Sequence, residues 1–77
     1  MVHPRLASDE ARLRRRIALN VRRLRAERAI SAVAASELAG MHWRMWQKIE
    51  GAETNVTLRN LSRVAKALRV DVRELFA

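Results

Sequence analysis

The chain has 77 residues, and its sixteen Lys or Arg against eight Asp or Glu give a formal net charge of +8. That length holds one small domain with no room for a second core, and 49% hydrophobic with 31% charged residues excludes a disordered chain. The lack of cysteine excludes a disulfide framework or a thiolate metal site, no run of about 18 apolar residues is long enough to span a membrane, and the charge suits a polyanion.

Residues 1–8 are expected to form a loose arm around Pro4, ahead of a domain over residues 9–77. Ser8 reads as a helix cap, followed by Asp9 and Glu10, which suit the positive end of the helix dipole. This helix extends to about Arg28. Leu13, Ile17, Val21 and Leu24 share an arc of about 80°. Arg12, Arg15, Arg16, Arg22 and Arg23 lie on the far side, the ordinary place for solvated charge. A basic amphipathic helix also suits a membrane surface, but no aromatic anchor borders the polar face and the following helices continue a folded pattern. No membrane partner is expected.

The next stretch, Ser31 to Glu50, reads as two short helices joined by a tight turn. Ser31 can cap the first with its hydroxyl. Gly40 ends it, since glycine enters the left-handed region without steric cost. His42 opens the second helix, Trp43 to Glu50. Two helices around a glycine turn of this length are the pattern of a helix-turn-helix, whose second helix enters the major groove in DNA-binding versions. At 100° per residue, Met45, Trp46 and Ile49 share an apolar arc, while Arg44, Gln47 and Lys48 share the opposite one. Arg and Lys suit the acceptor edge of guanine and the phosphates, and Gln suits adenine. The same three residues also suit a plain solvated face.

The first of these two helices is rich in alanine (Ala32, Ala34, Ala35, Ala39), with Leu38 the one large residue on its inner arc. Small residues facing Trp46 on the neighbouring helix give the volume balance a dense core needs. Trp46 is therefore read as core, and Trp43 as an outer-edge residue. After Glu50, Gly51 to Val56 reads as a loop. Thr57 caps a fourth helix with Leu58, Leu61, Val64, Ala65 and Leu68 inward, and Arg59, Arg63 and Lys66 outward. Asp71 and Glu74 form an acidic version of a capping box over a last short helix, Val72 to Phe76. Val72, Leu75 and Phe76 leave an apolar end, which either folds back or meets a partner. The fold class is thus all-α: five helices and no strands.

Catalysis is poorly supported. His3 and His42 lie far apart, there is no tyrosine or cysteine, and no glycine-rich phosphate loop is present. No enzyme activity, cofactor, metal or small-molecule ligand is expected, and the location is expected to be cytoplasmic. Glu50 is the one carboxylate near the apolar arc of its helix. A buried carboxylate needs a partner, and Arg25, at the inner edge of the first helix, is the candidate for a structural ion pair.

From Val21 to Phe76 the chain resembles the Cro and repressor type (XRE-like) of helix-turn-helix domain found in lambdoid phages and bacterial regulators. The matching residues are Val21-x-x-Leu24-Arg25, Ile30-Ser31, Glu37-Leu38-Ala39-Gly40, Ile49-Glu50, Asn55-Val56-Thr57-Leu58, and Ala65-x-Ala67-Leu68-x-Val70, ending in Glu74-Leu75-Phe76. The size and the Asn55 to Leu58 stretch are also similar to the small controller proteins of restriction–modification systems. The resemblance implies a five-helix, lambda-repressor-like bundle with Trp43 to Glu50 as recognition helix. It also implies the Arg25–Glu50 pair and homodimers on palindromic DNA.

This chain departs from the pattern in five places. Ala32 replaces a polar residue that often touches phosphate, His42 a small polar cap, and Trp43 a small or polar residue. Ala29 and Arg69 each replace a glycine. The expectation is a sequence-specific DNA-binding transcriptional regulator acting on double-stranded DNA as a homodimer. Its DNA-binding residues would be His42, Trp43, Arg44, Gln47 and Lys48, flanked by Ser31, Asn55 and Thr57, with Val72, Leu75 and Phe76 at the dimer interface. The alternatives are a protein-interaction module, such as an antitoxin-like partner, and an RNA or single-strand binder.

Overall fold

A computed structural model describes residues 4–77, with side chains from Asp9 onward, and every regular element in that range is helical. Helix α1 runs Pro4–Glu27, α2 Ala32–Leu38, α3 Trp43–Glu50 and α4 Leu58–Leu68. The fifth element, Val72–Phe76, is a 3₁₀ helix rather than an α-helix. At 1.5 Å per residue, α1 alone is about 36 Å long, which accounts for most of the 40 Å long axis of the molecule.

Helix α1 begins earlier than its Ser8 cap signal implies. Proline fits the first turn of a helix, where its missing N–H has no partner to lose, so the helix starts at Pro4. The loose arm is therefore displaced from residues 4–8, and its remainder, residues 1–3, lies outside the described residues. Ile17, Val21 and Leu24 are buried along α1, as their arc requires, but Leu13 stands 48% exposed near the projecting end. Arg12, Arg15, Arg16, Arg22 and Arg23 are all exposed.

The core joins Ile17, Val21 and Leu24 to Ala35 and Ala39 of α2 and its C-cap, Trp46 and Ile49 of α3, Leu61, Val64, Ala65 and Leu68 of α4, and Leu75. Trp46 is fully buried. The buried positions of α2 are all small: Ala35 and Ser36, with Ala39 at the cap. Leu38, expected inward, is 64% exposed, because the buried arc of α2 runs through Ala35, Ser36 and Ala39 and leaves Leu38 outside it. Leu58, also expected inward, is 84% exposed. It is the first residue of α4, ahead of the turn where Leu61 meets the core.

Each of the four α-helices ends in the same way, and at three of these ends the left-handed position is held by a residue other than glycine. At the close of α1, the Ile30 N–H reaches the Arg25 carbonyl and the Ala29 N–H the Ala26 carbonyl. The same pair of bonds closes α2 through Met41 and Gly40, α3 through Glu53 and Ala52, and α4 through Val70 and Arg69. This double closure requires a left-handed residue just past the helix. Gly40 supplies it at φ 66°, but Ala29 (53°), Ala52 (57°) and Arg69 (57°) do so with a side chain.

The 3₁₀ helix is capped by Asp71, whose Oδ1 accepts the Arg73 N–H at 2.9 Å, one residue nearer than a capping box spacing. That bond, together with the Arg73 guanidinium, holds the Asp71 carboxyl below its ordinary pKa. Asn20, buried on α1, ties this end of the chain down. Its Nδ2 donates to the Leu75 and Ala77 carbonyls, both at 3.0 Å, and its Oδ1 accepts from Arg23.

Candidate nucleic-acid interface

The turn between α2 and α3 fixes how the second helix is presented. Ser31 Oγ accepts the Ala34 N–H at 3.0 Å and starts α2. Gly40 reverses the chain, and His42 Nδ1 accepts the Arg44 N–H at 3.0 Å to start α3. Histidine thus does the work of a Ser or Asp cap. Once α3 begins there, Trp46 and Ile49 are buried and Met45 half-buried, so its opposite side must face solvent.

That outer side carries Arg44, Gln47 and Lys48, all exposed, with Trp43 at its edge 39% exposed. The His42 ring stacks against the Trp43 indole, with centroids 6.0 Å apart and planes inclined by 27°. The Arg44 guanidinium lies over the same indole at 5.8 Å, within cation–π range. The first turn of α3 is therefore one stacked cluster of imidazole, indole and guanidinium. The spacing of the residues had not suggested this stack, because neighbours in sequence do not ordinarily face one another on a helix.

Behind this face, Glu50 locks α3 to α1. Arg25 donates from Nε to Oε2 at 2.6 Å and from Nη2 to Oε1 at 3.0 Å, a two-pronged geometry specific to a guanidinium and a carboxylate. Arg25 Nη1 donates to the Ile30 carbonyl at 3.0 Å. Glu50 Oε2 also accepts the indole N–H of Trp46. The Glu50 carboxylate holds the Arg25 guanidinium above its ordinary pKa, chiefly through these hydrogen bonds. The only acid on α3 is thereby neutralised on the inner side, and the outer face keeps its positive charge.

The flanking residues have structural partners too. Thr57 Oγ1 caps α4 through the Asn60 N–H at 3.1 Å, and Asn55 Oδ1 accepts from Arg14 Nη1 at 2.6 Å. The Arg14 link, missed in the sequence, ties the loop after α3 to α1 and sets where Asn55 stands. At the far end, Val72 (41%) and Phe76 (39%) are exposed, whereas Leu75 is completely buried. Leu75 is therefore a core residue and unavailable to an interface; Asn20 draws its backbone onto α1 and the side chain follows inward. Among the described residues no cluster of His, Cys, Asp or Glu could hold a metal ion, and no helix is long and apolar enough to cross a membrane.

No protein-family model and no curated protein matches the chain. Solved structures resemble it, two of them as follows. One is the restriction–modification controller protein C.AhdI from Aeromonas hydrophila, with a TM-score of 0.79 and 28% identity, covering 82% of this chain and 96% of that one. The other is an HTH_3 family transcriptional regulator from Vibrio cholerae, with a TM-score of 0.83 and 27% identity, covering 87% of this chain but 38% of that longer protein. Helix order, the Ser31–Glu50 turn and both likenesses give this chain the helix-turn-helix fold of the Cro and phage-repressor, XRE-like type.

Proposed function

We propose that this chain is a sequence-specific DNA-binding transcriptional regulator, not an enzyme, and that it reads palindromic duplex DNA as a homodimer. The observation that carries the reading is the outer face of α3. Arg44, Gln47 and Lys48 stand in solvent together while the helix's own carboxylate is held by Arg25. A net charge of +8 adds the long-range attraction a phosphate backbone provides. The names of the two similar structures, a controller protein and a transcriptional regulator, support the same class. In this reading Arg44 meets guanine, Gln47 adenine and Lys48 a phosphate, with His42 and Trp43 beside Arg44 at the start of the helix. Ser31, Asn55 and Thr57 border the flanking backbone. The cytoplasm, where such DNA is found, is the place of action.

The homodimer reading draws on apolar side chains left in solvent. Val72 and Phe76 are exposed and stay in the proposed interface, and exposed Leu58 joins them in place of the buried Leu75. Two-fold symmetry would set two copies of α3 about 34 Å apart, one turn of duplex. Selecting bound duplexes from a random pool tests the reading. Enrichment of a palindrome with half-sites about one turn apart is expected. If a folded protein enriches no duplex, the fold serves protein interaction instead.

A further inference from the structure

Trp43 occupies the first position of α3, the end of the helix that penetrates the groove in this type of domain. Indole there is unlike the short polar groups that read base edges, because its perimeter is apolar save for one N–H donor. It is also not loosely placed. His42 cannot turn freely, since its Nδ1 holds the Arg44 N–H, and an accepting Nδ1 leaves the neutral ring's proton on Nε2. The fixed imidazole lies against the indole, and the indole in turn supports the Arg44 guanidinium. A guanidinium resting over an indole presents its planar fork of five donors beside the ring, and that fork is pre-organised for paired hydrogen bonds.

An apolar indole beside a guanidinium fork has a matching target. The major groove offers one apolar group, the C5-methyl of a pyrimidine, and the acceptor pair O6 and N7 of guanine suits the fork. We infer that the first turn of α3 reads a C5-methylated pyrimidine next to a guanine, with Trp43 covering the methyl and Arg44 taking the guanine. This rests on α3 being the DNA-reading helix. Two bases carry that methyl in DNA, thymine and 5-methylcytosine, and the chemistry of the contact is common to both.

The test uses the full chain and the duplex selected from a random pool, with affinity read by fluorescence anisotropy. Uracil replaces thymine one position at a time, removing the methyl and nothing else. In parallel, a cytosine–guanine pair at the same step is compared with its 5-methylcytosine form. At the step beside the guanine that Arg44 reads, each methyl is expected to improve affinity about fourfold, the value of burying one such group. That difference should vanish in Trp43→Ala and in Trp43→Ser. An effect of thymine alone, or of 5-methylcytosine alone, that depends on Trp43 supports the inference and names the source. The inference is overturned if no methyl changes the affinity, if both Trp43 variants keep the methyl difference, or if single strands bind more tightly than the duplex. Failure to select any duplex would instead remove the reading beneath it, so the two failures are distinct. The uracil series leaves the protein untouched, so its result does not depend on how well a variant folds.

Discussion

Glu50 holds Arg25 through both carboxylate oxygens, at 2.6 and 3.0 Å, and the same side chain accepts the indole N–H of the buried Trp46. Their side chains are 12% and 26% exposed respectively, so both charges are largely withdrawn from water. Glu50→Ala strands a guanidinium and an indole N–H together, and a loss of about 2–4 kcal/mol is expected in urea denaturation. Glu50→Gln keeps one acceptor oxygen, enough for Arg25 Nε and the Trp46 indole N–H, but sets its amide NH2 against Arg25 Nη2, and should lose less than Glu50→Ala. An unchanged melting temperature in Glu50→Ala with DNA binding abolished would mean the pair serves the DNA face and not the fold.

The two tryptophans divide by position on one helix. Trp46→Ala empties a fully buried site against alanines and should cost about 3–5 kcal/mol. Trp43→Ala, at a partly exposed position, should leave the melting temperature nearly unchanged. Iodide should quench one tryptophan in the native protein and spare the other. Equal quenching of both would contradict the packing of α2 on α3.

Helix ends offer a route to greater stability. Ala29, Ala52 and Arg69 hold left-handed backbone that disfavours a side chain. Replacing any one by glycine should raise stability by about 1 kcal/mol, less the extra freedom glycine brings to the unfolded chain. The converse change at Gly40 isolates the backbone effect, because an added Cβ there would meet nothing within 4 Å. Gly40→Ala should cost about 1 kcal/mol. Thermal melts of these four variants should therefore move in opposite directions.

What could be read beforehand was local or periodic. Ser31, Gly40 and the 100° spacing were enough to place α2, α3 and the two tryptophans, because caps, left-handed turns and helix faces are decided within a few residues. The start of α1 was less determinate: Ser8 carries a cap signal, but Pro4 fits a first turn equally well. Leu38 and Leu58 failed for a different reason. Helical spacing names the side a residue occupies but not whether a neighbour covers it, and Leu58 at the start of α4 is left 84% exposed. Asn20 was invisible because its partner carbonyl at Leu75 lies 55 residues away. The burial of Leu75 follows from that same distant contact, so its assignment to an interface could not be corrected from the sequence.

Self-association should follow the exposed apolar residues and not the buried one. Leu58→Glu or Phe76→Glu should shift the protein towards monomer in sedimentation at tens of micromolar while the fold persists, since like charges then face each other across a two-fold axis. Leu75→Ala should instead lower stability by about 2–5 kcal/mol, as a core cavity does. Sedimentation of the parent as a monomer in that range, with or without its selected duplex, would rule out the homodimer.

The most direct test of the central claim compares Arg44→Ala with Lys48→Ala on the selected duplex across a salt series, after both are shown to melt with the parent. Arg44→Ala should lose about 1–3 kcal/mol and relax the preference at one base pair. Lys48→Ala should weaken all duplexes nearly alike and reduce the slope of log affinity against log salt by about one. Binding by both variants as tight as the parent's, with an unchanged salt slope, would contradict the account, because the outer face of α3 would then not be where this protein meets DNA.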